Sequence, residues 1–309
     1  MSDPHISVVV VNHNLAGELI GCLESVRRHS PPGWCEIWVV DNASTDESLE
    51  RLAREFPAAR VIANRDNLGF GRASNQALER ARGDYALLLN NDARLTAGAL
   101  EALAAALEAD PDLAMVGPKL LDPSGEVQIS TGRMIHFHTE LWQRLLGWAY
   151  ARRLPGMLAF VRRRAERPAR PHWVSGACCL LRLEAARRAG LFDPSFFMYT
   201  EEVDLCQRLR LLGYQVGYVP AAVVIHRGGG SSALHGARTA LEYRRSQMYF
   251  YRKHHGRLAL ELLRAYLLAK FLLGELKLLR AGPERRRLNR ELLRAVWRYP
   301  KNSEAGACG

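Results

Sequence analysis

The chain has 309 residues, of which 48% are hydrophobic and 24% are charged, with 25 glycines and 14 prolines. This composition is typical of a globular protein, and it excludes a disordered, collagen-like or coiled-coil chain. The net charge of +11 is unevenly placed, because residues 1–120 hold 11 basic and 17 acidic side chains while residues 121–309 hold 32 and 15. A basic half predicts a phosphate-bearing partner: nucleic acid, an anionic membrane surface or an acidic substrate.

β-Branched runs alternate with amphipathic helical segments over the first 120 residues. Strands alternating with helices of 10–14 residues predict βαβ units and a parallel sheet that is buried on both faces. We therefore expect an α/β fold, Rossmann-like, with a mostly parallel central sheet and helices on both faces. Ser44 or Thr45 is the expected N-cap of the second helix. The predicted strands are 6–11, 36–40, 60–63, 85–89 and 113–116, and the predicted helices are 15–28, 46–56, 71–81 and 97–109.

Asparagine and aspartate follow each of the first four predicted strands. Such sheets bind ligands at the carboxyl ends of their strands, so these side chains predict one pocket, although each alone also suits an Asx turn. Neither G-x-G-x-x-G after the first strand nor a P-loop is present, so a nucleotide would be held by another route. The four segments are Asn12-His13-Asn14, residues 41–46, residues 64–71 and Asn90-Asn91-Asp92.

Three further features suggest chemistry. Asp92 at the end of a buried strand suits Mg²⁺ that arrives with a diphosphate; the alternative is a helix cap. Three carboxylates within residues 201–204 follow an aromatic run, which suits a general base with a raised pKa; the alternative is an acidic first helical turn. His226 ends a strand before three glycines, which favours a ligand or diphosphate contact over a structural role.

Two segments suggest a membrane surface. Residues 141–170 combine tryptophan, leucine and phenylalanine with eight arginines, which suits a lipid headgroup boundary. The leucine-rich residues 257–280 contain too many charges to span a bilayer. They predict either a helix packed on protein, including in a dimer, or an in-plane membrane helix.

The localisation follows from the cysteines and the N-terminus. The six cysteines have no C-x-x-C spacing, which predicts reduced thiols in a cytosolic protein. The N-terminus enters a strand-like run without a signal-peptide pattern. We therefore expect a cytoplasmic protein, peripheral on the inner face of the cell membrane.

In its motifs the chain resembles family 2 glycosyltransferases of the GT-A fold, and within them bacterial rhamnosyltransferases that act on lipid-linked acceptors. The resemblance covers residues 6–235 in the family's order. The matching motifs are residues 8–14, 39–46, Asn67-Leu68-Gly69-Phe70-Gly71 with Asn75, Asn90-Asn91-Asp92, residues 173–177, residues 201–205, and His226 with its glycines.

The resemblance implies inverting transfer from a nucleoside-diphosphate sugar, with Mg²⁺ or Mn²⁺ on the diphosphate. Asp92 and His226 would bind the metal, although Asn90 replaces the first carboxylate of the family's D-x-D motif. Glu202 would be the catalytic base, with Asp204 as the alternative. The implied acceptor residues are Trp173 and Gly176, and the implied donor residues are Asn12, Asn14, Asp41, Asn67, Gly69, Asn75 and Asn91.

We therefore expect a glycosyltransferase domain at 1–240, with a nucleotide-binding half at 1–120 and an acceptor half at 121–240. Residues 241–309 are expected to form a basic, leucine-rich helical region. The expected donor is a dTDP- or UDP-sugar, with dTDP-rhamnose favoured, and the acceptor is a saccharide or lipid-linked saccharide of cell-envelope polysaccharide synthesis. An inert nucleotide-sugar sensor or scaffold at the membrane is the alternative. A nucleic-acid partner is not expected, and a homodimer stays open.

Overall fold

The computed structural model describes residues 5–152, 154, 156–228, 236–277 and 283–299. The chain divides into two compact units, one formed by residues 1–192 and 202–230 and the other by residues 193–201 and 231–309.

The first half of the larger unit alternates strands and helices as predicted. Continuous β-branched runs form the strands because both faces of each are covered. The elements are β1 (Ile6–Asn12), α1 (Ala16–His29), β2 (Cys35–Asn42), α2 (Ser48–Glu55), β3 (Arg60–Asn64), α3 (Phe70–Leu78), β4 (Tyr85–Leu89), β5 (Ala93–Leu95), α4 (Ala99–Ala109) and β6 (Leu113–Leu121).

Shorter elements follow and complete this unit. A helical hairpin, α5 and α6, is inserted between two short strands, β8 and β9. The elements are β7 (Val127–Gln128), β8 (Thr131–Gly132), α5 (Phe137–Ala151), α6 (Met157–Ala165), β9 (Trp173–Val174), β10 (Cys178–Arg182), α7 (Leu183–Arg188), α8 (Glu201–Leu211) and β11 (Gln215–His226).

The central sheet has the strand order β3-β2-β1-β4-β10-β6-β11-β5, and β7 pairs with β6. The strands β1, β2, β3, β4, β6 and β11 run in one direction, as expected of a mostly parallel sheet, whereas β5, β7 and β10 run in the other. Antiparallel β10 lies between β4 and β6, which the sequence did not predict.

The core lies on both faces of this sheet. Val8 and Leu87 belong to one hydrophobic cluster with side chains of α1 and α4. Val9 and Leu88, their neighbours in sequence, belong to a second cluster with side chains of α3, α7 and α8. Because successive strand residues point to opposite faces, the two clusters confirm helices on both sides of the sheet.

The smaller unit contains two long helices, α9 (Gly236–Lys277) and α10 (Pro283–Arg298), which pack against each other. Helix α9 is interrupted at Gly256, where φ is 78°. The expected leucine-rich segment, 257–280, begins directly after this interruption.

Leucines and an arginine are buried together in this helix pair. Leu263 and Leu267 of α9 are fully buried. The guanidinium of Arg264 is buried with them, and it donates to the carboxylate of Glu261 and the carbonyl oxygens of Val296 and Trp297. No helix within the described ranges has the length and apolar character that crossing a bilayer requires.

Five cysteines, Cys22, Cys35, Cys178, Cys179 and Cys206, are free thiols, and all but Cys35 are buried. Burial raises the pKa of the Cys206 thiol to about 12, so this group is neutral at physiological pH. Cys308 lies outside the described residues.

Gly83 provides a test of the packing between β1 and β4. A methyl group at Gly83 would lie 2.7 Å from the carbonyl oxygens of His5 and Tyr85. These are backbone atoms, so we expect Gly83→Ala to lower the free energy of unfolding by about 1–3 kcal/mol. Chemical denaturation measures this change.

Gly17→Ala is the matched control, because a methyl group there meets nothing within 4 Å. Alanine favours the helix more than glycine does, so the control should gain up to about 1 kcal/mol. Equal stabilities of the two variants would contradict the packing at Gly83.

Candidate functional site

Three predicted donor residues meet in a buried hydrogen-bond network at the carboxyl ends of the strands. Asn12, at the end of β1, donates from Nδ2 to Asp41 Oδ2 at 3.1 Å and to Ser48 Oγ at 3.0 Å. Asn91 Nδ2 donates to Asn12 Oδ1 at 2.8 Å. Asn12 and Asp41 are at most 1% exposed. The network joins the ends of β1 and β2 to the segment that follows β4.

Asn14 and Asp46 tie the loops after β1 and β2 together. Asn14, with φ of 52°, accepts from the Thr45 backbone N–H at 2.7 Å. Asp46 accepts from the Ala16 N–H at 3.0 Å and thereby serves the first turn of α1. Burial raises the pKa of Asp46, but hydrogen bonds led by the Ser48 hydroxyl outweigh it and hold the pKa below its ordinary value.

The predicted N-cap at Ser44 or Thr45 is wrong. Helix α2 begins at Ser48, and Glu47 occupies the cap position without a side-chain hydrogen bond. The Ser44 hydroxyl instead donates to Asp41 Oδ2 at 2.5 Å. Ser44 therefore contributes to the buried network and not to the helix.

Asn67 and Gly69 shape the turn into α3. Asn67 Oδ1 accepts from the Gly69 N–H at 3.0 Å, and the φ of 80° at Gly69 lies in the region that favours glycine. Asn42 Nδ2 donates to the Gly69 carbonyl oxygen at 3.1 Å. These bonds hold the loop that follows β3 against the end of β2.

Asn75 engages the backbone of Phe192. Its Nδ2 donates to the Phe192 carbonyl oxygen at 2.8 Å, and its Oδ1 accepts from the Phe192 N–H at 3.0 Å. The amide thus fastens α3 to the segment that follows α7. Its role at a donor pocket stays a prediction.

The two predicted metal ligands lie side by side. Pairing of β5 with β11 places His226 opposite Ala93, and His226 Nε2 is 3.3 Å from Asp92 Oδ1. Gln128 on β7 holds the other side of the ring, since its Oε1 is 2.8 Å from His226 Nδ1 and its Nε2 donates to the His226 carbonyl oxygen at 2.7 Å. Within the described residues, no group of three or more histidine, cysteine or acidic side chains is arranged for a metal.

Gln128 also sets the tautomer of the neutral ring. Because its Nε2 donates to a carbonyl, its Oε1 must be the acceptor for His226, which assigns the proton of the neutral ring to Nδ1. The lone pair of Nε2 then faces the Asp92 carboxylate. In this tautomer Nε2 and the carboxylate are both acceptors at 3.3 Å, so either a proton or a metal ion fits between them.

An ion-pair network that the sequence did not reveal joins helix α1 to the residues on either side of Asp92 and to the residue after His226. Arg94 donates to Glu18 Oε2 at 2.7 Å and to the Asn91 carbonyl oxygen at 3.2 Å. Glu18 also pairs with Arg227, the residue after His226. Gly21 makes room for the network, because a methyl group there would lie 2.6 Å from Arg94 Nη2. The network joins α1 to both sides of the Asp92–His226 pair.

The predicted base Glu202 lies against the predicted acceptor residue Gly176. A methyl group built on Gly176 would be 3.7 Å from Glu202 Cγ and 3.8 Å from Phe70 Cε1. Glu202 Oε2 is buried, and no described residue forms a hydrogen bond with it. Burial raises the pKa of Glu202 against the opposing effect of nearby backbone N–H groups. A raised carboxyl pKa with an unpaired oxygen suits a general base.

Asp204, the alternative base, has a different environment. It is fully buried, and its Oδ2 accepts from Arg208 Nε at 2.8 Å. Arg208 also donates to the carbonyl oxygens of Ala189 and Leu191. This carboxylate is therefore engaged in packing the core, and the geometry favours Glu202.

The segment containing Trp173 and Gly176 lies next to Glu202 and contacts Asn90, close to Asp92. Trp173 Nε1 donates to the Arg133 carbonyl oxygen at 2.8 Å. The Asn90 N–H donates to the Ala177 carbonyl oxygen at 2.9 Å. Ala177 is adjacent to Gly176, and Asn90 is two residues from Asp92, so neighbouring residues link Glu202 to the Asp92–His226 pair.

The pKa of Glu202 predicts how stability depends on pH. A carboxyl group whose pKa is raised by folding binds more protons in the native state, so stability falls as pH rises from its ordinary pKa of 4.5 to the raised value. We expect Glu202→Gln to unfold at a higher temperature than the wild type at pH 7, and the difference to vanish at pH 4.

Glu184→Gln is the control, because Glu184 is exposed on α7. Its melting temperature should follow that of the wild type at both values of pH. A Glu202→Gln variant that also follows the wild type would show that burial does not perturb this carboxyl group.

The chain is similar to known glycosyltransferases in sequence. Residues 7–188, more than half of the chain, match the family model "Glycosyl transferase family 2". The N-acetylglucosaminyl-diphospho-decaprenol L-rhamnosyltransferase of Mycobacterium tuberculosis is 30% identical over 231 residues, which are 71% of this chain and 75% of the relative. Rhamnosyltransferase WbbL of Escherichia coli is 44% identical over 54 residues, 18% of this chain and 20% of the relative.

Solved structures share the fold. The mannosyltransferase PcManGT of Pyrobaculum calidifontis, in complex with GDP-Man and Mn²⁺, superposes with a TM-score of 0.56 at 19% identity over 96% of this chain and 87% of that one. GalNAc-T7 with UDP, GalNAc and Mn²⁺ gives 0.57 at 18% identity, with 81% of this chain matching half of that longer one. These similarities confirm the predicted GT-A fold. The family model and the Mycobacterium tuberculosis relative establish that the chain belongs to glycosyl transferase family 2.

Proposed function

We propose that the protein transfers a sugar, with L-rhamnose from dTDP-rhamnose as the favoured donor, to a hydroxyl of a saccharide carried on a lipid diphosphate. The observation that supports the proposal is the chain of contacts that leads from Glu202 through Gly176 and the Asn90–Ala177 hydrogen bond to the Asp92–His226 pair. A base and an anchor for diphosphate are the two parts that sugar transfer requires. Similarity to rhamnosyltransferases supports the choice of sugar and acceptor.

The donor would lie at the carboxyl ends of β1 to β4. Asp41 would bind the base or ribose, while the amides would line the pocket together with the backbone at Gly69. The hydrogen bonds of Asn12 to Asp41 and Ser48 hold these groups in place before the donor arrives. Because these side chains are already ordered, little conformational entropy is lost when the donor binds. The pocket amides are Asn12, Asn14, Asn67, Asn75 and Asn91.

Asp92 and His226 would hold Mg²⁺ or Mn²⁺ on the donor diphosphate. The ion would neutralise charge on the leaving group. Two protein ligands suit an ion whose remaining positions are filled by diphosphate and water, and Gln128 keeps Nε2 of His226 available to it.

Glu202 would act as the general base. Its Oε2 would take the proton of the acceptor hydroxyl as that oxygen attacks the anomeric carbon. The bond from the anomeric carbon to the diphosphate oxygen breaks, and the diphosphate leaves with the electron pair. One displacement inverts the configuration of the sugar. Gly176, which lies next to Glu202, would contact the acceptor.

Replacing the base tests the function directly. Glu202→Gln keeps the size of the side chain and removes its basicity, so we expect transfer to fall by at least about 100-fold. Binding of dTDP and UDP, measured by titration calorimetry, should be unchanged. Product formation is followed with dTDP-rhamnose and a lipid-diphosphate saccharide acceptor.

Glu184→Gln controls for loss of a charge and should keep full transfer. Asp204→Asn should unfold at a lower temperature, because it removes the carboxylate that balances the buried charge of Arg208. Full activity of Glu202→Gln would refute the assignment of the base.

Gln128→Ala tests the support of His226. Loss of an outer partner of a metal ligand lowers metal affinity by about 10–100-fold. We expect this loss in titrations of Mn²⁺ in the presence of dTDP. Gln215→Ala is the control, since Gln215 accepts from Arg170 at the surface. Equal Mn²⁺ affinities of the two variants would contradict the role of Gln128.

A nucleotide-sugar sensor is a second candidate. It is motivated by Asn90 in place of a carboxylate, which leaves Asp92 as the one acidic group of the motif. A wild-type protein that binds dTDP-rhamnose with metal, yet neither transfers nor hydrolyses it over a panel of acceptors, would favour the sensor.

A further inference from the structure

The α5–α6 hairpin exposes large apolar side chains to solvent. Trp142 is 59% exposed, Leu145 53%, Trp148 48% and Phe160 50%. Trp142, Leu145 and Trp148 follow one another at intervals of three along α5, so they are neighbours on its surface. Tryptophans exposed together in this way mark an interaction site.

The opposite side of the hairpin is fastened to the sheet. Val161 and Ala165 of α6 form a buried cluster with Val127 of β7. The Tyr150 hydroxyl donates to the Val127 carbonyl oxygen at 2.5 Å. The hairpin therefore has a packed side and an apolar outer side.

Positive charge accompanies the exposed aromatics. The Arg152 guanidinium lies over the Trp148 ring at 4.5 Å. Arg163, Arg164 and Arg167 are exposed, and among the described residues they form no ion pair. The acids of the hairpin offset little of this positive charge. Glu140 is buried, and Glu166 pairs with Lys119.

We propose that this outer surface, formed by Trp142, Leu145, Trp148 and Phe160 with Arg163, Arg164 and Arg167, docks on an anionic phospholipid bilayer. The indole and phenyl rings enter the boundary between headgroups and acyl chains, and the guanidinium groups bind phosphates. Charge selects this occupant over a second copy of the chain, because a symmetric dimer through this surface would bring the arginines of both copies together.

The position of the hairpin gives docking a consequence for the site. Gln128, which holds His226, is the residue after Val127, on which α6 packs. Docking would therefore hold the diphosphate side of the site close to the bilayer surface. The consequence for the site rests on the proposed function with a lipid-linked acceptor. The binding of the hairpin to vesicles does not depend on that function.

Vesicle co-sedimentation tests the proposal. We expect the wild type to bind vesicles of phosphatidylcholine with phosphatidylglycerol, to bind phosphatidylcholine alone weakly, and to dissociate at high salt. Two variants, Trp142→Ser with Trp148→Ser and Arg163→Glu with Arg164→Glu and Arg167→Glu, should each lose affinity at least about tenfold. All these sites are exposed, and thermal melting checks that each variant folds.

Leu258→Ser with Leu262→Ser is the matched control, because these leucines of α9 are 77% and 61% exposed. It should bind vesicles like the wild type. Loss of binding in this control but not in the hairpin variants would overturn the proposal. So would absence of wild-type binding, or a dimer in analytical ultracentrifugation that the Trp142→Ser and Trp148→Ser changes dissociate.

A water-soluble, short-chain acceptor separates docking from chemistry. We expect the hairpin variants to keep wild-type transfer to this acceptor and to lose transfer to acceptor embedded in vesicles. Vesicle binding that depends on the hairpin, in a wild type that transfers to neither acceptor, would leave the docking surface standing and refute the proposed function.

Discussion

The buried amide of Asn12 is the interaction on which the arrangement of the strand ends depends. It bonds with Asp41 at the end of β2, Ser48 at the start of α2 and Asn91 after β4. A buried polar group is stable only when it is hydrogen-bonded, so each partner fixes the others. The loops that present Asp92 and Asn14 consequently start from rigid positions.

Two carboxylates on one helix have opposite environments. Asp204 is paired with Arg208 in the core, whereas Glu202 has a buried oxygen without a hydrogen-bond partner among the described residues. The first stabilises helix α8 and its neighbours, and the second keeps a raised pKa. Separation of this kind lets one short acidic segment provide both structure and reactivity.

Tyr199 and Thr200, just before this segment, have φ of 68° and 65°, a conformation of the kind found at functional sites.

Sequence patterns predicted the first half of the fold well, because buried β-branched runs such as residues 6–11 indicate strands without tertiary information. They also predicted that Asn12, Asp41 and Asn91 meet, since parallel strands end at a common edge. They missed contacts that depend on distant pairing. Glu18 meets Arg227 only because β11 lies beside β6 and β5, and Gln128 meets His226 for the same reason. Neither pair has a periodicity or motif that a single sequence displays.

The antiparallel strand β10 links folding to synthesis of the chain. It supplies the neighbour that both β4 and β6 need, yet it lies at residues 178–182, far beyond either strand. Until the ribosome has passed β10, the edges of β4 and β6 remain unpaired and prone to wrong association. Residues 1–121 of the nascent chain therefore depend on the strand at residues 178–182 to complete their part of the sheet.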